Sequence, residues 1–170
     1  MRRAVFPGSF DPPTIAHLAI ADAALAQCGC DHLTFILSRA ALGKEERDRS
    51  LQRRADTLRE LVAARPDLSV EIREARLIAE LAVGYDVVVV GADKWAQVLD
   101  PAWYDGPAAH AAALASLPHV AVVPRPPTPL TADHAVVALT LLTLADETLA
   151  HVSSSAVRNG RTEWAATFDA

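Results

Sequence analysis

The chain has 170 residues, 51% of them apolar and 22% charged, with a formal net charge of −5. That composition excludes a disordered chain and is sufficient for a substantial core. The acidic balance argues against a non-specific nucleic-acid binder, which is normally basic, and no apolar run reaches the ~18 residues that a membrane span needs.

In chain order, Arg3–Phe6 reads as a first strand. Met1-Arg2-Arg3 leads into it with no apolar leader, which predicts a cytoplasmic protein. After the turn Gly8-Ser9-Phe10-Asp11-Pro12-Pro13, a helix is predicted over Thr14–Gln27, stopped by Gly29. Cys28 and Cys30, with only His32 nearby as a further ligand, read as reduced thiols rather than a metal site. His32–Leu37 is a second strand. Ser50 is the predicted N-cap of a helix running to about Arg65, with Leu51, Ala55, Leu58, Leu61 and Val62 at helical spacing and Pro66 ending it. Leu68–Ile72 is a third strand and Asp86–Val90 a fourth, whose four consecutive valines suit burial on both faces. A helix is predicted from about Pro107 to Leu117, then a fifth strand, His119–Val123. The proline-rich run from Pro124 to Pro129 is a stiff connector or a wall of the site.

This alternation predicts an α/β fold: a Rossmann-like parallel sheet with helices on both faces, three layers α/β/α. Too few residues follow Pro129 for a second core, so residues 1–170 read as one domain. Ligands of such sheets bind beyond the C-terminal strand ends, where the strand order reverses, and the first strand and Val87–Val90 are the natural neighbours of that crevice.

Three segments carry the chemistry. Gly8, Ser9 and Phe10 lie in a strand-to-helix turn, and Thr14 and His17 sit in the first helical turn after it. A helix start binds phosphate well, because its free N–H groups and dipole face outward. Gly8 is expected to permit the sharp turn and close phosphate approach, and Phe10 to pack. Near the other end, Ser153, Ser154 and Ser155 precede Arg158 by one turn. Serines there are common as plain N-caps, but with an arginine they also form a second phosphate grip. Gly91-Ala92-Asp93-Lys94-Trp95 follows the fourth strand directly and is a site candidate by position. The stretch Lys44 to Arg54 is basic but interrupted by acids, and most of it reads as a solvated helix face. His110, His119 and His134 read as structural; His151, beside the serine loop, is left open.

These motifs resemble the nucleotidylyltransferase superfamily. Gly8-Ser9-Phe10-Asp11-Pro12 followed by Thr14-Ile15-Ala16-His17 is similar to its Gly-x-Phe-x-Pro and His/Thr-x-Gly-His signature, with Ala16 in place of Gly. Val152 to Arg158 is similar to its Ile-Ser-Ser-Thr/Ser-x-x-Arg/Lys. The resemblance implies AMP transfer from ATP to a phosphate-monoester acceptor with release of pyrophosphate. It implies that Thr14, His17 and Arg158 are catalytic at the triphosphate, that Gly8, Ser9, Phe10 and Ser153–Ser155 bind nucleotide, and that Mg²⁺ is held mainly by the ATP phosphates. The extra methyl of Ala16 is expected to be tolerated, with weaker nucleotide binding or a shifted base preference as the alternative. Gly91–Asp93 resembles the nicotinate and nicotinamide mononucleotide adenylyltransferases, which assigns the acceptor to Asp93, to Trp103 (about two residues from the family's Trp-Tyr position) or the competing Trp95, and to Lys44. The expected acceptor is therefore a pyridine mononucleotide, as in NAD biosynthesis. Pro7 and Thr14 look more like phosphopantetheine adenylyltransferase, though its Arg-Gly-rich segment is absent. A cytidylyltransferase, a non-catalytic nucleotide binder and a homo-oligomer are left open.

Overall fold

The computed structural model describes residues 1–39, 45–126, 128 and 137–167, with the backbone alone for 45–49. Among them, β1 (Arg3–Pro7), β2 (His32–Ser38), β3 (Leu68–Arg73), β4 (Val87–Gly91), β5 (His119–Val123) and β6 (Leu139–Leu141) form a six-stranded parallel sheet in the order β3-β2-β1-β4-β5-β6. The order reverses between β1 and β4, where Ala4 pairs with Val87 and Val5 with Val88. The helices are α1 (Ile15–Cys28), α2 (Glu45–Leu61), α3 (Ile78–Leu81), α4 (Ala92–Leu99), α5 (Pro107–Ala115) and α6 (Ser154–Arg158).

Strand residues alternate between two cores, as the period of two requires. Ala4, Phe6, Leu33, Phe35, Val87 and Val89 pack on one face with Ile20 of α1 and Leu51 and Leu58 of α2. Val5, Ile36, Val88 and Val90 pack on the other with Leu81, Trp95 and Val98 of α3 and α4. Val87–Val90 are at most 1% exposed, as expected of a strand covered on both sides. The Rossmann-like three-layer fold expected from the alternation is thus present.

Some local expectations need correction. Ser50 does not cap α2; the helix already begins at Glu45, because Glu45-Glu46-Arg47 are good helix formers and nothing there stops propagation. The segment after β4, given no secondary structure by the sequence, is helical: α4 starts at Ala92 with Gly91 as N-cap. The three residues of β6 and the four of α3 are too short to leave a periodic signal. Lys44, Pro127, Pro129 and His134 lie outside the described residues. Among the described residues, no helix is long and apolar enough to cross a membrane.

Candidate active site

The site forms around the β1–β4 switch point, at the C-terminal strand ends. Its central cavity, about 300 Å³, is lined by Gly8, Ser9, His17, Ser153–Ser155 and Arg158, among others, so the two distant signatures meet. The turn after β1 is made by Phe10, at φ 45°, not by Gly8. A bulky residue rarely adopts that conformation. Phe10 is held there by burial: it is 1% exposed, edge-on to Phe6, Phe35 and His17 with centroids at 5.5, 5.3 and 5.0 Å. A Cβ on Gly8 would stand 2.6 Å from the Phe10 ring tip. Gly8 is therefore required by the ring, whatever the cavity binds. Gly8→Ala is expected to cost about 1–3 kcal/mol by overpacking, read as a lower denaturant midpoint; an unchanged midpoint would show that the ring can move.

Thr14 and His17 take different parts. Thr14 is the N-cap of α1, extended at φ −126°, and 0% exposed. Its N–H donates to His17 Nδ1 at 2.9 Å, and its hydroxyl is 3.0 Å from the same nitrogen. Nδ1 is thus the acceptor, and in the neutral ring the proton is on Nε2, the nitrogen left for the cavity. Burial, and then the nearby Arg125 charge, push the His17 pKa down to about 4. The site presents a neutral N–H donor over the physiological range. Thr14, expected to touch the triphosphate itself, is instead sealed behind His17 and orients it.

The serine loop is largely committed within the protein. Ser153 Oγ accepts from Ala156 N at 3.1 Å, as an N-cap. Ser154 Oγ donates to Pro12 O at 2.7 Å. Arg158 donates to Ser155 Oγ at 3.1 Å and to the Asp11 carbonyl, with the Asp11 carboxylate 3.7 Å away. The N-cap reading holds for Ser153, and these residues stitch the second signature to the first while still lining the cavity.

Two cations that the sequence reading did not single out join them. Arg125, just past β5, and Lys94, in the first turn of α4, both line the cavity. Both follow C-terminal strand ends, the positional signal that could have found them. Arg125 places the start of the proline-rich run at the cavity wall. Asp93 faces Arg125 at 3.7 Å, accepts from the Thr128 hydroxyl and is the one acid among the described lining residues. The structure thus groups Asp93 with the central cavity rather than with the aromatic residues. In a chain of net charge −5, this cleft is locally positive.

A second cavity, about 240 Å³, continues from Gly8 and Lys94 towards Arg54 and Arg76, and a third, about 170 Å³, runs from Arg76 to Trp103 and Tyr104. Trp103 is 52% exposed, whereas Trp95 is 2% exposed and packed in the core. Of the two competing tryptophans, only Trp103 is placed for a ligand, because the amphipathic face of α4 turns Trp95 inward. Trp103→Ala should raise an acceptor KM about 10-fold with little change in melting, while Trp95→Ala should cost about 3–5 kcal/mol of stability. The reverse pattern would invert the assignment. Ala16 is 1% exposed and is not among the residues lining the cavity, so its methyl has no contact there through which to crowd a base.

The fold, with a cleft at the switch point of its sheet lined by both signatures, is that of a nucleotidyltransferase. The chain belongs to the cytidylyltransferase-like family, whose model matches residues 5–160. The solved structures it is similar to include Plasmodium falciparum nicotinic acid mononucleotide adenylyltransferase complexed with NaAD (14% identity, TM-score 0.61) and the same enzyme complexed with APC (13%, 0.59). Each match covers 93% of this chain and 82% of that one. At this identity the likeness shows the fold. No curated protein sequence matches the chain.

Proposed function

We propose that the protein transfers AMP from ATP to a phosphate-monoester acceptor, most closely a pyridine mononucleotide, and releases pyrophosphate. The observation that carries this reading is the convergence of His17 and Arg158 on one cavity that opens through Lys94 into a cationic, aromatic-walled extension. The triphosphate suits the central cavity. An acceptor phosphate suits Arg54, whose guanidinium is anchored on the Ser9 carbonyl, and a flat ring suits Trp103. The likeness to the nicotinic acid mononucleotide enzyme supports the same acceptor class.

In this mechanism an acceptor phosphate oxygen attacks the α-phosphorus, a new P–O bond forms in line, and the bond to the β-phosphate oxygen breaks. No protein nucleophile takes part. His17 Nε2–H donates to a phosphoryl oxygen as charge builds there, and Arg158 and Arg125 stabilise the departing pyrophosphate. Lys94, between the two cavities, holds donor and acceptor phosphates together against their repulsion. Mg²⁺, which would neutralise charge on the phosphates, fits as an ion carried mainly by them, since one carboxylate, Asp93, lines the cavity among three cationic side chains.

The test is pyrophosphate release with ATP and Mg²⁺ against nicotinate mononucleotide, nicotinamide mononucleotide and phosphopantetheine in parallel. Turnover with a pyridine mononucleotide is expected. Turnover with phosphopantetheine alone would move the enzyme to coenzyme A synthesis. CTP in place of ATP tests the cytidylyl alternative in the same assay.

A further inference from the structure

The loop Asp11-Pro12-Pro13-Thr14 contains two prolines, which lack an N–H, so it has few backbone donors with which to hold itself. Its carbonyls are instead taken, one after another, by the far end of the chain. Asp11 O accepts from Arg158, Pro12 O from Ser154 Oγ at 2.7 Å, and Pro13 O from the Ala166 N–H at 3.1 Å. Thr14 and Ala165 form an antiparallel bridge. The last of these contacts comes from a segment beyond the second signature. There, a 3-10 turn over Thr162–Trp164 is braced by Arg161, stacked 4.3 Å over the Trp164 ring, and leads into Ala165 and Ala166.

The consequence lies one residue further on. Because Pro13 and Thr14 are pinned from outside, the Thr14 N–H is presented to His17 Nδ1 at 2.9 Å, leaving Nε2 for the cavity. We infer that the segment Thr162–Ala166 is a positioning element for His17: its bridge to Pro13-Thr14 fixes the amide that selects the orientation and tautomer of the imidazole. Thr162–Ala166 is a working part of the active site although none of these five residues lines the cavity. The inference rests on the reading of His17 as the phosphoryl-stabilising donor.

The experiment uses the full chain with Ala166→Pro, which removes the donor to Pro13; Ala165, at φ −64° and ψ 137°, already has a conformation allowed before proline. Ala166→Gly keeps the N–H as the conservative control, and Trp164→Ala loosens the segment without touching that amide. Ala166→Pro and Trp164→Ala should lower kcat by about 10- to 100-fold with the KM for ATP within about two-fold, while Ala166→Gly keeps kcat. The ¹⁵N imidazole signals of His17 in the free protein should move from a single Nε2–H form to a tautomer mixture in the first two variants alone. Should Ala166→Pro fail to fold, Trp164→Ala carries the test. An unchanged His17 signature in a folded variant, or a kcat loss that only tracks the folded fraction, overturns the inference. If the wild type releases no pyrophosphate with any acceptor, the functional reading fails, and the imidazole signals still decide whether the bridge positions His17.

Discussion

His17→Ala is expected to lower turnover about 10²- to 10³-fold, the effect of deleting one preorganised donor to a developing phosphoryl charge. The KM for ATP should change far less, because the cationic residues around the cavity still bind the triphosphate. The variant should fold: the ring is edge-on to Phe10 at 5.0 Å, and losing that contact costs on the order of 1 kcal/mol. The same residue makes a pH prediction. An unfolded chain protonates this histidine near 6.5, the folded one only near 4. Between those values the unfolded state binds more protons, so His17 makes stability fall as pH drops through that window and level off below it. Above pH 6.5 it contributes no pH dependence. Denaturation of wild type and His17→Ala at several pH values should show the two converging in slope above that window and diverging within it. Full activity in His17→Ala would end the role assigned to it.

Arg158→Ala should weaken ATP binding by about 10- to 100-fold, the loss of one charge-assisted contact to phosphate. It should also reduce kcat, since Arg158 is one of the groups that hold the Asp11 carbonyl, and through it the loop before α1. Arg158→Lys keeps the charge but not the fork that reaches both Ser155 and Asp11, so it should recover much of the ATP affinity and little of the kcat. Calorimetric titration with ATP, beside steady-state kinetics, separates the two parts. Unchanged ATP affinity in Arg158→Ala would remove the residue from the phosphate site and leave it a structural clamp.

Much of this protein was legible in one dimension. Strands such as Val87–Val90 and helices such as α1 announce themselves because an unbroken β-branched run and a glycine stop such as Gly29 are local properties. The two signatures were legible for the same reason: a glycine turn before a helix, and serines before an arginine, are short-range arrangements with short-range purposes. Trp95 and Trp103 were not separable, because which of the two tryptophans turns into the core is decided by packing rather than by its neighbours along the chain. The segments that hold Lys94 and Arg125 were legible by position, but not the two cations within them, since an isolated cation carries no motif and its side-chain direction is set by the fold.

The amino-acid sequence by itself determined the order of the main strands and helices along the chain, from which the layered fold follows, and the two signature segments, all of which are patterns within a turn or two. The tertiary structure decided what those residues do to one another. It sealed Thr14 behind His17, gave the His17 proton to Nε2, and replaced a glycine-driven turn with one wedged open by the Phe10 ring. It joined Pro12 to Ser154, 142 positions away, and Pro13 to Ala166. Such pairings arise from the sheet bringing distant strand ends together, and side-chain burial, tautomer and pKa follow from that juxtaposition rather than from any residue's neighbours along the chain.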